Sequence, residues 1–132
     1  MTKLRILVIL LAVFVLSCHK ADEIINVVEN DTNHPPYVPS HPVPADSSVL
    51  PAASFITFQW NGGDPDQGDT VSYDIYLDTV NPPQEVLETD DSLNVFDLGK
   101  PGPGTYYWRV IAKDFNDSSS TSPVWRFTIT NP

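Results

Sequence analysis

The sequence predicts an all-β sandwich of about seven strands. Residues 104–114, GTYYWRVIAKD, alternate with period two: Tyr106, Trp108, Val110 and Ala112 against Tyr107, Arg109, Ile111 and Lys113. That is the pattern of a half-buried strand, and the first set is the candidate buried side. Similar alternations recur between clusters of turn residues, at the spacing of a small sandwich. Three tryptophans, Trp60, Trp108 and Trp125, fall on the inner faces of three different strands, where large rings can fill a core.

With 132 residues, 13 prolines and a net charge of −10, the chain is long enough for one small domain with appendages but not for two cores. The acidic balance excludes nucleic acid as a partner, which demands a basic footprint. Cys18 is the single cysteine, so no internal disulfide can form.

Residues 1–17 join a basic start, Lys3 and Arg5, to the apolar run Ile6–Leu16. This is the anatomy of an export signal and too short for a spanning helix. The run ends Val15-Leu16-Ser17-Cys18. It resembles the lipobox of bacterial lipoproteins, which implies cleavage before Cys18 and acylation of its thiol and new N-terminus. Without this leader the chain carries five Lys and Arg against 17 Asp and Glu, a net charge of −12. Acyl chains contribute ~0.8 kcal/mol per buried methylene, and several of them anchor stably. His19 stands where a retention aspartate would hold such a protein at the inner membrane. The resemblance therefore implies a lipid anchor in the bacterial cell envelope, at the outer membrane.

Residues 18–41 read as a flexible tether. No periodicity is sustained, and HPPYVPSHPVP at 34–44 is dense in proline, the composition of an extended spacer. His34 and His41 each precede a proline there and read as solvated linker histidines.

The domain is expected over residues 42–132. Ile56, Phe58 and Trp60 alternate with Thr57 and Gln59 before Asn61-Gly62-Gly63. Val71, Tyr73, Ile75 and Leu77 alternate with Ser72, Asp74 and Tyr76 before Asn81-Pro82-Pro83. A weaker strand lies near Glu85–Glu88, another runs through Leu93 and Val95 toward Leu98, and Trp125, Phe127 and Ile129 close the series.

Trp60 ending an early strand, Tyr73-x-Ile75-x-Leu77, and Leu98 leading through Pro101 to Tyr106-x-Trp108-x-Val110-x-Ala112 resemble a fibronectin type III domain of the immunoglobulin-like class. Asp64-Pro65-Asp66 and Tyr106–Val110 resemble its bacterial cell-surface version. The resemblance implies a tyrosine corner at Tyr106, its hydroxyl bonding backbone near Leu98. Two departures stand out: an extra Pro-Gly before Tyr106, and Asp114-Phe115-Asn116-Asp117 where the family commonly has glycine, which assigns a positive φ to Asn116.

Little in the domain points to catalysis. Residues 42–132 hold no histidine and no cysteine, which excludes Ser/His/Asp and Cys/His arrangements there. Asp90 and Asp91 sit together in a turn without the cleft that an acid/base pair needs. No enzyme and no cofactor are expected. Asp64, Asp66 and Asp69 form the one candidate metal cluster. Against the EF-hand template it fails, because Asp69 stands at the glycine position and Ile75 at the twelfth, and the expectation is a solvated turn with no metal. Asn116-Asp117-Ser118 matches a glycosylation sequon, which has little weight in a bacterial lipoprotein.

The candidate binding residues lie on the outer face. Pairing Ile75 with Trp108 across antiparallel strands places Tyr76 opposite Tyr107 and Asp74 opposite Arg109, two tyrosines and an ion pair on one exposed surface. The function expected is a non-catalytic interaction or spacer module on a lipid anchor, with a protein or glycan partner. The alternative is a glycan-binding accessory lipoprotein of a polysaccharide-uptake system.

Overall fold

The computed structural model describes residues 32–132. The leader, Cys18 and the first part of the expected tether lie outside the described residues. Nine strands form two sheets: β1 (Ser40–Val43), β2 (Ser48–Leu50), β3 (Ile56–Asn61), β4 (Ser72–Asp78), β5 (Val86–Asp91), β6 (Val95–Gly99), β7 (Gly104–Lys113), β8 (Ser119–Thr121) and β9 (Trp125–Ile129). One sheet runs β1-β3-β6 and the other β2-β9-β7-β4-β5, with β8 also paired to β7. All pairings are antiparallel except β2 with β9.

The six strands with side-chain alternation form where the sequence places them. Three more escape that reading. β2 and β8 are three residues long, too short to display a period, and β8 is Ser-Ser-Thr. β1 lies inside the proline-dense stretch and contains Pro42, which donates nothing to a ladder and is tolerated because β1 is an edge strand.

The core lies between the sheets. Ile56, Phe58 and Trp60 from β3 meet Tyr73 and Ile75 from β4, Trp108, Val110 and Ala112 from β7, and Trp125, Phe127 and Ile129 from β9. The Trp108 ring stacks on Phe58 at 4.2 Å between centroids and lies 4.8 Å from Trp125. Trp60 meets Tyr73 edge to face at 5.3 Å. Each such buried ring contributes on the order of 2–3 kcal/mol from area alone. All three tryptophans are buried. The indole N–H groups of Trp60 and Trp108 nonetheless find no acceptor among the described residues.

Two local expectations are corrected. The Tyr106 hydroxyl donates to the Gly102 carbonyl at 2.9 Å, not to backbone near Leu98, because the extra Pro-Gly brings a nearer carbonyl under the ring. In the β7–β8 turn the positive φ, 64°, belongs to Asp117 and not to Asn116. The Asp114 carboxylate accepts from the Asn116 and Ser118 amides at 2.8 and 2.9 Å, which fixes the turn around residue 117.

The domain boundary also moves. Residues 33–41, expected in the tether, belong to the sandwich. Asn33 Nδ2 donates to Asp114 Oδ2 and Ser118 Oγ, both at 2.9 Å, and its Oδ1 accepts from Asn116 Nδ2 at 2.8 Å. The Tyr37 amide donates to the Gly63 carbonyl at 2.9 Å, and Ser120 Oγ to the Pro36 carbonyl at 2.6 Å. Pro36 and Pro39 are buried. Glycine at position 62 lets the adjoining loop pass close to the core, since a Cβ there would strike the Tyr73 ring.

Candidate functional site

The outer face of the larger sheet is set by the pairing of β4 with β7, and that pairing is two residues away from the expected one. Ile75 faces Val110, Tyr76 faces Arg109, Asp74 faces Ile111 and Asp78 faces Tyr107. A slip of two leaves every side chain on its own face while changing every partner. The expected Asp74–Arg109 pair and Tyr76–Tyr107 contact therefore do not form. Asp74 instead meets Lys113 at 2.8 Å, and Lys113 also reaches Asp90 at 2.7 Å. Hydrogen bonds from the ammonium to Asp74 and then Asp90 hold the Lys113 pKa above its ordinary value.

Arg109 lies over the Tyr76 ring, its guanidinium carbon 4.7 Å from the centroid. Its Nε is shut off from solvent and has no acceptor among the described residues. Tyr107 has Arg126 of β9 on its other side. Tyr76 and Tyr107 are half-buried, so the face is less open than alternation alone implied. Arg126 belongs to it as much as Asp74 does. Its position opposite Tyr107 follows from the β7–β9 register, which the sequence does not display.

At the loop end, Asp64, Asp66 and Asp69 do come together, with one oxygen from each within 4.8 Å of the other two. Asp64 Oδ1 accepts from the Asp66 amide at 2.8 Å, and the Asp69 amide donates to the Asp66 carbonyl at 3.2 Å. The tight turn uses Gly68 at φ +97°. His34 is exposed, as expected, but it is bound to the domain instead of lying in a linker. Its amide donates to Asp66 Oδ2 at 2.6 Å and its Nδ1 lies 2.8 Å from Asp66 Oδ1. These two bonds, the backbone one first, hold the Asp66 carboxyl below its usual range.

With the boundary at residue 33, two histidines join the domain that was expected to have none. His41 Nδ1 lies 3.1 Å from Ser40 Oγ and 3.3 Å from Asn61 Nδ2. Both contacts fall on the same ring nitrogen, whereas a nucleophilic triad takes the proton on one nitrogen and orients the ring through the other, so this contact does not activate Ser40.

The sequence missed Asn33, His34 and Asp114. Pro36 and Pro39 held a signal. Three-residue spacing puts them on one side of a polyproline helix, the side that docks.

No family model and no curated protein matches the chain. Solved structures do. A structure of fibronectin(III)-like modules of Clostridium thermocellum CbhA superposes with a TM-score of 0.55 at 21% identity, over 73% of this chain and 47% of that one. The chain thus spans about half of that neighbour. An Fn3-like protein from Clostridium thermocellum matches at 0.52 and 21%, over 75% of this chain and 98% of that one. The fold is a fibronectin type III sandwich. The fibronectin type III domain of a human fibronectin type III domain containing protein 3 matches at 0.53 and 18% identity, over 78% of this chain and 94% of that one. A Streptomyces avermitilis α-L-rhamnosidase matches at 0.52 and 17% identity, over 70% of this chain but only 10% of the enzyme.

Proposed function

We propose that the protein is a lipid-anchored protein of the bacterial cell envelope, at the outer membrane, that presents one fibronectin type III-like sandwich as a non-catalytic interaction or spacer module. The observation that supports this most is the likeness to fibronectin type III-like modules, one of which accounts for nearly all of its own chain. The anchor rests on the Leu16-Ser17-Cys18 junction after an apolar leader. Acyl chains on Cys18 tie the chain to the membrane. The partner is a protein that meets the outer face of the larger sheet.

The glycan-binding reading draws on Tyr107 and Arg109, an aromatic ring beside a donor-rich guanidinium. It is the weaker of the two, because Arg109 covers one face of Tyr76 and the remaining ring surface is half-buried. A glycan array with the full-length chain separates them. The spacer or protein-interaction reading expects no saccharide signal above background. Saturable binding of one saccharide class, lost with Tyr107→Ala, would replace it with the glycan reading.

A further inference from the structure

The chain carries 17 Asp and Glu against seven Lys and Arg, so a cation on the sheet that lacks a carboxylate partner stands out. On the outer face of the larger sheet Lys113 has two, Asp74 and Asp90. Arg109 and Arg126 share that face and form no ion pair with any described residue. The Arg109 guanidinium lies over the Tyr76 ring, and that of Arg126 makes one bond, from Nε to Ser47 Oγ at 3.1 Å. Two acids beside them serve the backbone instead. Asp78, opposite Tyr107, accepts from the Thr79, Val80 and Gln84 amides at 2.7, 3.2 and 3.3 Å. Asp46 accepts from the Arg126 main-chain amide at 2.9 Å.

The register sets the spacing of the two arginines. Arg126 faces Tyr107 and Arg109 is two positions along β7, so they are diagonal neighbours, which stand about 7–8 Å apart. An extended peptide rises about 3.3 Å per residue and turns alternate side chains the same way, so carboxylates two positions apart are separated by about 6.6 Å. One extended strand therefore offers a carboxylate to each guanidinium, with Tyr107 beside both. Each guanidinium is a planar fork that matches a carboxylate. The Tyr76 ring and Ser47 already position the two side chains, which lowers the entropy lost on binding. Building on the reading of this face as a protein-contact surface, we propose that Arg109 and Arg126 bind an extended acidic segment of a partner protein, with Asp or Glu at alternate positions. Arginine and tyrosine are the residues on which protein contacts commonly anchor.

The test uses the full-length chain and a fluorescent peptide that alternates glutamate with threonine, read by polarisation, with the glutamine version and a polygalacturonate oligomer in parallel. The glutamate peptide binds saturably with a Kd below about 1 mM, and the glutamine peptide at least about tenfold more weakly. Arg109→Gln and Arg126→Gln each weaken binding at least about fivefold, while Lys100→Gln in the β6–β7 loop does not. Arg126 is exposed, so Arg126→Glu leaves the core untouched and abolishes binding even if an Arg109 variant folds poorly. Equal binding of the two peptides, or binding that survives Arg126→Glu, overturns the acidic-segment proposal and leaves the module reading in place. Arginine-dependent binding of the oligomer with none of the peptide overturns both, in favour of a glycan. Self-association in sedimentation that Arg126→Glu removes, again without peptide binding, overturns the proposal in favour of a second copy of the chain.

Discussion

The guanidinium of Arg109 packs on the ring of Tyr76, 4.7 Å from its centroid, because the two residues face each other across β4 and β7. The contact ties two central strands of the larger sheet together from outside. It also explains why this face carries aromatic residues without leaving them fully exposed. A double-mutant cycle with Tyr76→Ala and Arg109→Ala is expected to show a coupling of about 0.5–1 kcal/mol in urea unfolding. A coupling indistinguishable from zero would reduce the pair to two independent surface residues.

Trp108 is the centre of the core, stacked on Phe58 and against Trp125. Trp108→Ala is expected to cost ~3–5 kcal/mol. Trp108→Phe should cost clearly less, because it removes an indole N–H that has no acceptor among the described residues along with part of the ring. Native tryptophan emission should be blue-shifted and shielded from iodide. Emission that is red and readily quenched before unfolding would contradict the burial of the three rings.

The strands could be read in advance because their inner residues announce themselves: Phe58, Ile75, Val110 and Phe127 each sit two positions from another large apolar residue. The β4–β7 register could not be read in the same way. Period-two alternation is unchanged by a slip of two, so nothing in Tyr76 or Arg109 distinguishes pairing with each other from pairing one step along. The docking of residues 33–41 was hidden for a different reason. Asn33, His34 and Ser40 are polar and the prolines are many, a composition shared by free spacers. What holds the segment is its hydrogen bonds to Asp66, Asp114 and Gly63, partners at least 26 positions away in the sequence. The acidic turn was legible as a candidate through Asp64-Pro65-Asp66, but its bonds from His34 to Asp66 depend on how residues 33–41 dock.

The revised boundary makes a direct prediction. A chain beginning at residue 32 should melt about 5 °C or more above one beginning at residue 42, because the shorter chain loses buried Pro36 and Pro39 and the first half of β1. Equal melting temperatures would return residues 33–41 to the tether.

Asp114 links that segment to pH. The Asn33 amide is the largest cause holding its carboxyl below the usual range, with the Ser118 and Asn116 amides adding to it. A depressed folded pKa means the contribution is fully present above the unfolded value of about 3.9 and is lost as pH falls through the lower folded value. In a pH titration followed by NMR, the Asn33 side-chain amide and the Asp114 carboxyl should shift together below pH about 4. Asn33→Ala should move the Asp114 midpoint upward, toward the ordinary value. An unchanged midpoint would separate the two residues.

The reading of the whole chain rests on Cys18, and intact-mass analysis of the protein extracted from membranes addresses it most directly. The expected result is a chain that begins at Cys18 and carries acyl chains, with Cys18→Ser leaving the protein unacylated and released from the membrane fraction. A wild-type chain with an unmodified Cys18 thiol, recovered away from the membrane, would contradict the lipid-anchored module.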